Sequence, residues 1–133
     1  MEKTLQILFR WAVNLILAAA FLLAAAVWLP KAFHMKAYVV MSSSMEPAIK
    51  AGSVIYVKPY EKNEAICPGD IISFQAGDVM VTHRVVSADL EGQSVTTKGD
   101  ANQLQDSAPV PFSNIYGKVR FHIPALGYLL LRQ

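Results

Sequence analysis

Residues 70–86 read DIISFQAGDVMVTHRVV. Two β-branched runs, 70–75 (DIISFQ) and 79–86 (VMVTHRVV), flank Gly77-Asp78, a pair with turn chemistry. The same grammar holds on either side. Candidate strands at 37–41 (AYVVM), 53–58 (SVIYVK), 94–98 (SVTTK) and 115–121 (IYGKVRF) alternate with Ala51-Gly52, Pro68-Gly69-Asp70, Glu91-Gly92 and Gly99-Asp100. Strands this short, with no long helical period between them, predict a mainly β domain built on an antiparallel sheet. Residues 101–114 (ANQLQDSAPVPFSN) form the longest irregular stretch. The apolar tail 123–131 (IPALGYLLL) is too short to span a bilayer, and is expected to pack on the β core or lie on a membrane surface.

The amino-terminal part follows different rules. Of the 22 charged residues among 133, only Glu2, Lys3 and Arg10 fall within residues 1–30. Trp11 to Leu29 reads WAVNLILAAAFLLAAAVWL, uncharged, with Asn14 its one polar side chain. As a helix it would reach about 28 Å, the thickness of a bilayer core. Trp11 and Trp28 sit where indole rings prefer the membrane interface, and Pro30 is expected to stop the helix. A cleavable leader would have a shorter apolar core and a small-residue exit, whereas this run ends Trp-Leu-Pro-Lys. The division expected is therefore an amino-terminal segment 1–10, a retained transmembrane anchor 11–30, and a β domain 31–133. Lys3 and Arg10 on one side are matched by Lys31 and Lys36 on the other, so charge counting leaves the orientation open.

Net charge is +2, with no dominant basic patch, which argues against a charge-driven nucleic-acid binder. One cysteine, Cys67, excludes an intramolecular disulfide framework and a CxxC metal knuckle. A half-buried structural thiol is the expectation for it. No ligand cluster for a metal or cofactor is visible, so none is expected.

Side chains on 79–86 alternate between two faces, so His83 shares one with Val79, Val81 and Val85. His122 and His34 read as solvated and interfacial. An imidazole among valines is commonly a hydrogen-bonded core residue. The stretch 41–47 (MSSSMEP) would by itself be a polar loop, and 97–106 (TKGDANQLQD) a solvated acidic one. Together a serine, a placed histidine and loop carboxylates make a set for nucleophilic catalysis.

These segments, in this order behind an anchor, resemble the type I signal peptidases of peptidase family S26, in the Ser-His branch found in the endoplasmic reticulum, archaea and some Gram-positive bacteria. SSSMEP (42–47) resembles the serine box, usually S-G-S-M-x-P, with Ser44 at the nucleophile position. GDIISF (69–74), VTHRVV (81–86) and TKGDAN with Asp106 resemble the boxes that follow. The resemblance implies a membrane-anchored serine endopeptidase that cuts signal peptides from secreted preproteins after small residues at −1 and −3. Ser44 would be the nucleophile and His83 the base. Asp106, with Asp100 as a second acidic site residue, would orient the base, and the sequence does not separate the two. The Ser44 N–H and the Ser42 hydroxyl would hold the oxyanion. Met45 and Met41 would touch substrate or lipid, or else fill the core.

The resemblance also implies a cytoplasmic amino terminus and an extracytoplasmic domain at the cell membrane. The implied partners are preproteins, the bilayer and accessory membrane subunits. Two departures stand out. Ser43 replaces the usual Gly, which would carry strain if that position needs φ > 0. Many members also carry a second hydrophobic segment, whereas this sequence stops at Gln133. The competing expectations are an inactive relative, or an anchored β module that only binds a partner.

The base box separates two subtypes by chemistry. A lysine base needs a strongly lowered pKa, whereas imidazole ordinarily titrates near 6.5. No lysine occurs between residues 70 and 86. A histidine base predicts cleavage activity that falls as pH drops through about 6–7. A limb at about 8.5 or above in the pH–rate profile would point to a lysine instead.

Overall fold

The uncharged, alanine- and leucine-rich run has no turn residue to interrupt it, and it forms one helix, α1 (Glu2–Ala32). The computed structural model describes residues 2–127 and falls into two units, Met1–Phe33 and His34–Gln133. At 1.5 Å per residue the 31 residues of α1 extend about 46 Å, and the helix is long and apolar enough to cross a membrane. Glu2 in its first turn and Lys31 in its last complement the helix dipole. Pro30 does not stop it. The helix continues to Ala32, and Phe33 N–H still reaches the Leu29 carbonyl at 3.1 Å. A proline this near the end forfeits one backbone bond and leaves the last turn closed.

The second unit is an antiparallel sheet of seven strands: β1 (Lys36–Val39), β2 (Val54–Pro59), β3 (Ile71–Ala76), β4 (Val79–Asp89), β5 (Ser94–Lys98), β6 (Val110–Pro111) and β7 (Ile115–Ile123). Their order is β1-β2-β7-β3-β4-β5-β6. The six expected strands are present, and the mainly β, antiparallel class is the one observed. β4 runs three residues past its expected end because Ser87–Asp89 pair with Ser94–Thr96 beyond a bulge. The stretch expected to be irregular contains the two-residue β6 and a 3₁₀ turn, Phe112–Asn114. β7 ends at Ile123, and residues 128–131 of the apolar tail lie outside the described residues.

Two apolar clusters hold the sheet. Ile72, Phe74, Val85 and Val95 anchor one; Met45, Ile49, Ile55 and Val57 form the other. Gly117 lets β7 approach β2, since a Cβ there would lie 2.1 Å from the Lys58 carbonyl oxygen. β3 and β4 pair from Ile71↔Arg84 to Ala76↔Val79, whereas β5 joins β4 only from Arg84 onward. The first half of β4, Val79–His83, therefore has β3 on one edge and, among the described residues, no strand on the other. This free edge and the segment Tyr38–Ser42 wall a groove of about 440 Å³, with Ile55 among its lining residues.

Candidate active site

Burial fixes the turn that carries Ser44. Ile49 N–H bonds the Met45 carbonyl at 2.8 Å, which sets Met45 and Ile49 one helical turn apart, both 1% exposed in the core. Ser44, just before Met45, is left half-buried at the rim. Of the two environments expected for Met45, substrate contact or core, it occupies the core, its unbranched side chain packed with Ile55 and Val57. Met41 is exposed and lines the groove. Ser43 carries no left-handed strain: among the described residues the non-glycine positions with positive φ are His34, Gln93 and Ala125.

His83 is 8% exposed, on the inward face of β4 opposite Ile72 and with Phe74 in edge contact. Its Nδ1 lies 2.7 Å from Asp106 Oδ2 and its Nε2 lies 3.2 Å from Ser44 Oγ. A carboxylate can only accept, so Nδ1 carries the proton and Nε2 presents its lone pair to the Ser44 hydroxyl. Ser42 Oγ stands 3.1 Å from Ser44 Oγ.

Asp106 is held twice by Thr97. Thr97 Oγ1 donates to Asp106 Oδ2 at 2.6 Å, and Asp106 N–H donates to the Thr97 carbonyl at 2.9 Å. Asp100 is engaged elsewhere. Arg84 Nε and Nη2 donate to its two oxygens at 2.8 and 2.6 Å, and Arg84 Nη1 reaches the Gly69 carbonyl at 3.0 Å. Of the two candidate carboxylates, then, Asp106 touches the imidazole and Asp100 clamps the start of the acidic loop to β4. The loop is also tied to the Ser44 turn, since Ala101 N–H donates to the Ser44 carbonyl at 2.9 Å. Gly99 permits this approach, because a Cβ there would lie 2.7 Å from that carbonyl oxygen.

The groove wall is uncharged. Burial and the neighbouring Tyr116 hydroxyl push the Tyr38 phenol up to about 12, so it stays neutral. Cys67 is exposed and free rather than half-buried, because it opens a turn, Cys67–Gly69, whose residues are all exposed. Two residues of the site, Thr97 and Arg84, escaped the sequence reading. The signals were present: Thr97 shares the inward parity of Val95, and Arg84 adjoins His83 on the opposite face.

Comparison with known sequences follows this geometry. A sequence profile described as signal peptidase, peptidase S26, matches residues 9–111. Signal peptidase I W of Bacillus subtilis (strain 168) is 42% identical over 79 residues, covering 57% of this chain and 42% of that protein. The signal peptidase complex catalytic subunit SEC11 of Zygosaccharomyces rouxii is 32% identical over 111 residues, covering 74% of this chain and 65% of that one. The SEC11 subunit of Lodderomyces elongisporus is 28% identical over 128 residues, covering 87% and 76%. The chain thus spans less than two thirds of the length of the first two relatives.

The Arg84 pair holds the Asp100 carboxyl below the ordinary carboxylate value of 3.8, against an opposing effect of burial. A carboxyl lowered in the fold stabilises above its unfolded pKa, and loses that contribution as pH falls through the folded value. Asp100→Asn is expected to cost about 1 kcal/mol at pH 7, the scale of a partly exposed ion pair. The difference should be smaller at a pH below that lowered folded value than at pH 7. Thermal denaturation in detergent at the two pH values checks it; an equal deficit at both would contradict the linkage.

Proposed function

The chain belongs to the signal peptidase family, peptidase S26, and from that membership we propose that it is a membrane-anchored serine endopeptidase removing amino-terminal signal peptides from secreted preproteins. The observation that carries the reading is the contact series Asp106–His83–Ser44, with bonds at both imidazole nitrogens. Ser44 Oγ attacks the scissile carbonyl while His83 Nε2 takes its proton. The imidazolium, steadied by the Asp106 carboxylate, then protonates the leaving amine. A water activated by the same imidazole releases the acyl group. The Ser44 N–H and the Ser42 hydroxyl hold the oxyanion, each such donor contributing roughly 3–4 kcal/mol in comparable chemistry.

Substrate enters as an extended strand. The free edge of Val79–Thr82 and the facing Tyr38–Ser42 segment offer backbone partners, and the apolar, uncharged groove between them accepts small side chains at −1 and −3. Under this reading residues 1–10 are cytoplasmic, 11–30 cross the cell membrane, and 31–133 are extracytoplasmic. Accessory membrane subunits are a natural extension, since the SEC11 relatives are named as catalytic subunits of a signal peptidase complex.

The test is cleavage of a preprotein bearing an Ala-x-Ala site, by the full chain in liposomes. Wild type is expected to release the mature protein, and Ser44→Ala and His83→Ala to lose about 10³-fold or more of the rate. Three proteins of equal activity, or equally inert, would instead favour an anchored binding module.

A further inference from the structure

Thr97 is fully buried on β5, with Val95 as its inward neighbour and Val85 of β4 as its register partner. Packing alone would place a valine there, for the two side chains have the same shape and the hydroxyl costs free energy unless it is bonded. Among the described residues that hydroxyl has one bond, to Asp106 Oδ2 at 2.6 Å, the same oxygen that meets His83 Nδ1 at 2.7 Å. The Thr97 carbonyl meanwhile accepts from Asp106 N–H at 2.9 Å. Asp106 lies in the irregular stretch after Gly99, where no ladder fixes it, and its side chain makes bonds to His83 and Thr97 alone among the described residues.

The geometry points to Thr97 as a positioning residue for the peptidase reaction, its hydroxyl fixing the Asp106 oxygen that keeps the His83 imidazole proton on Nδ1. The reference frame is β4 itself. Val85, paired with Thr97, is two residues from His83 on the same face, so imidazole and carboxylate are registered to one strand. Without the hydroxyl, Asp106 keeps its backbone N–H bond to the Thr97 carbonyl and loses the bond from Thr97 Oγ1 that sets its side-chain torsion. The imidazole is then free to rotate away from Ser44. Thr97 is not among the residues lining the groove, and its hydroxyl bonds Asp106 rather than Ser44, so the effect belongs to turnover and not to substrate binding.

The inference rests on the peptidase reading above, and its test has one arm that does not. Full-length Thr97→Val and Thr97→Ser are compared with wild type in preprotein cleavage. Thr97→Val is expected to lower kcat about ten- to a hundredfold, the scale of a misplaced catalytic group, with KM within about twofold. Thr97→Ser, which restores the hydroxyl, should stay within about threefold of wild type. In parallel, the low-field proton line of the buried imidazole Nδ1–H, assigned by its absence from His83→Ala, should shift or broaden in Thr97→Val and not in Thr97→Ser. Unchanged kcat and an unmoved line in Thr97→Val would overturn the assignment. Equal losses in both variants would also overturn it, pointing to packing. If wild type does not cleave, the peptidase reading fails, and the proton line alone decides whether Thr97 orders the imidazole.

Discussion

His83 stands on an inward face whose other members are valines, and at 8% exposure each ring nitrogen must find a partner from the protein. Asp106 meets one and Ser44 the other, although neither is near it in sequence. The rest of the domain can be read as the means of delivering these two groups. β3 and β5 fix β4 on its two edges, and leave the half that carries His83 open on one of them. The Met45–Ile49 turn seats Ser44 from below by burying the next residue. The acidic loop is tied down at Thr97, Arg84 and the Ser44 carbonyl, with Gly99 allowing the last contact.

Charge is sorted accordingly. Lys118 is buried with its ammonium on Asp70 and the Ala65 carbonyl, and Glu64 pairs with Arg120 and lies near Lys58. Burial would raise the Asp70 carboxyl, but the Cys67 N–H and Lys118 bring it below its ordinary value, so that carboxylate stays ionised at neutral pH. These ions tie the loop between β2 and β3 to β7, away from the groove. The groove keeps aliphatic, hydroxyl and neutral aromatic walls and presents no charged side chain.

The strands were legible because each is a β-branched run closed by turn chemistry, and the amino-terminal helix because charge is absent over nineteen residues. Their edges were less so. β6 is two residues long and contains a proline, so periodicity cannot register it. Pro30 reads as a helix stop, yet a proline in a last turn breaks too little to end one. The two aspartates could not be separated in sequence, because backbone bonds to Thr97 and Ser44 decide where their loop lies. Thr97 was visible as an inward residue, but its value lies in a bond to a residue nine positions on. Met45 showed neither of its possible environments until the Ile49 turn closed beneath it.

If Ser44, His83 and Asp106 act as one relay, removing further members after the first should cost nothing more. The most direct test compares preprotein cleavage by Ser44→Ala with that by the triple variant Ser44→Ala/His83→Ala/Asp106→Asn, both in liposomes. The account predicts equal residual rates, within about threefold, far below wild type. Losses that multiply from the single to the triple variant would mean that the three residues act independently, and would contradict it.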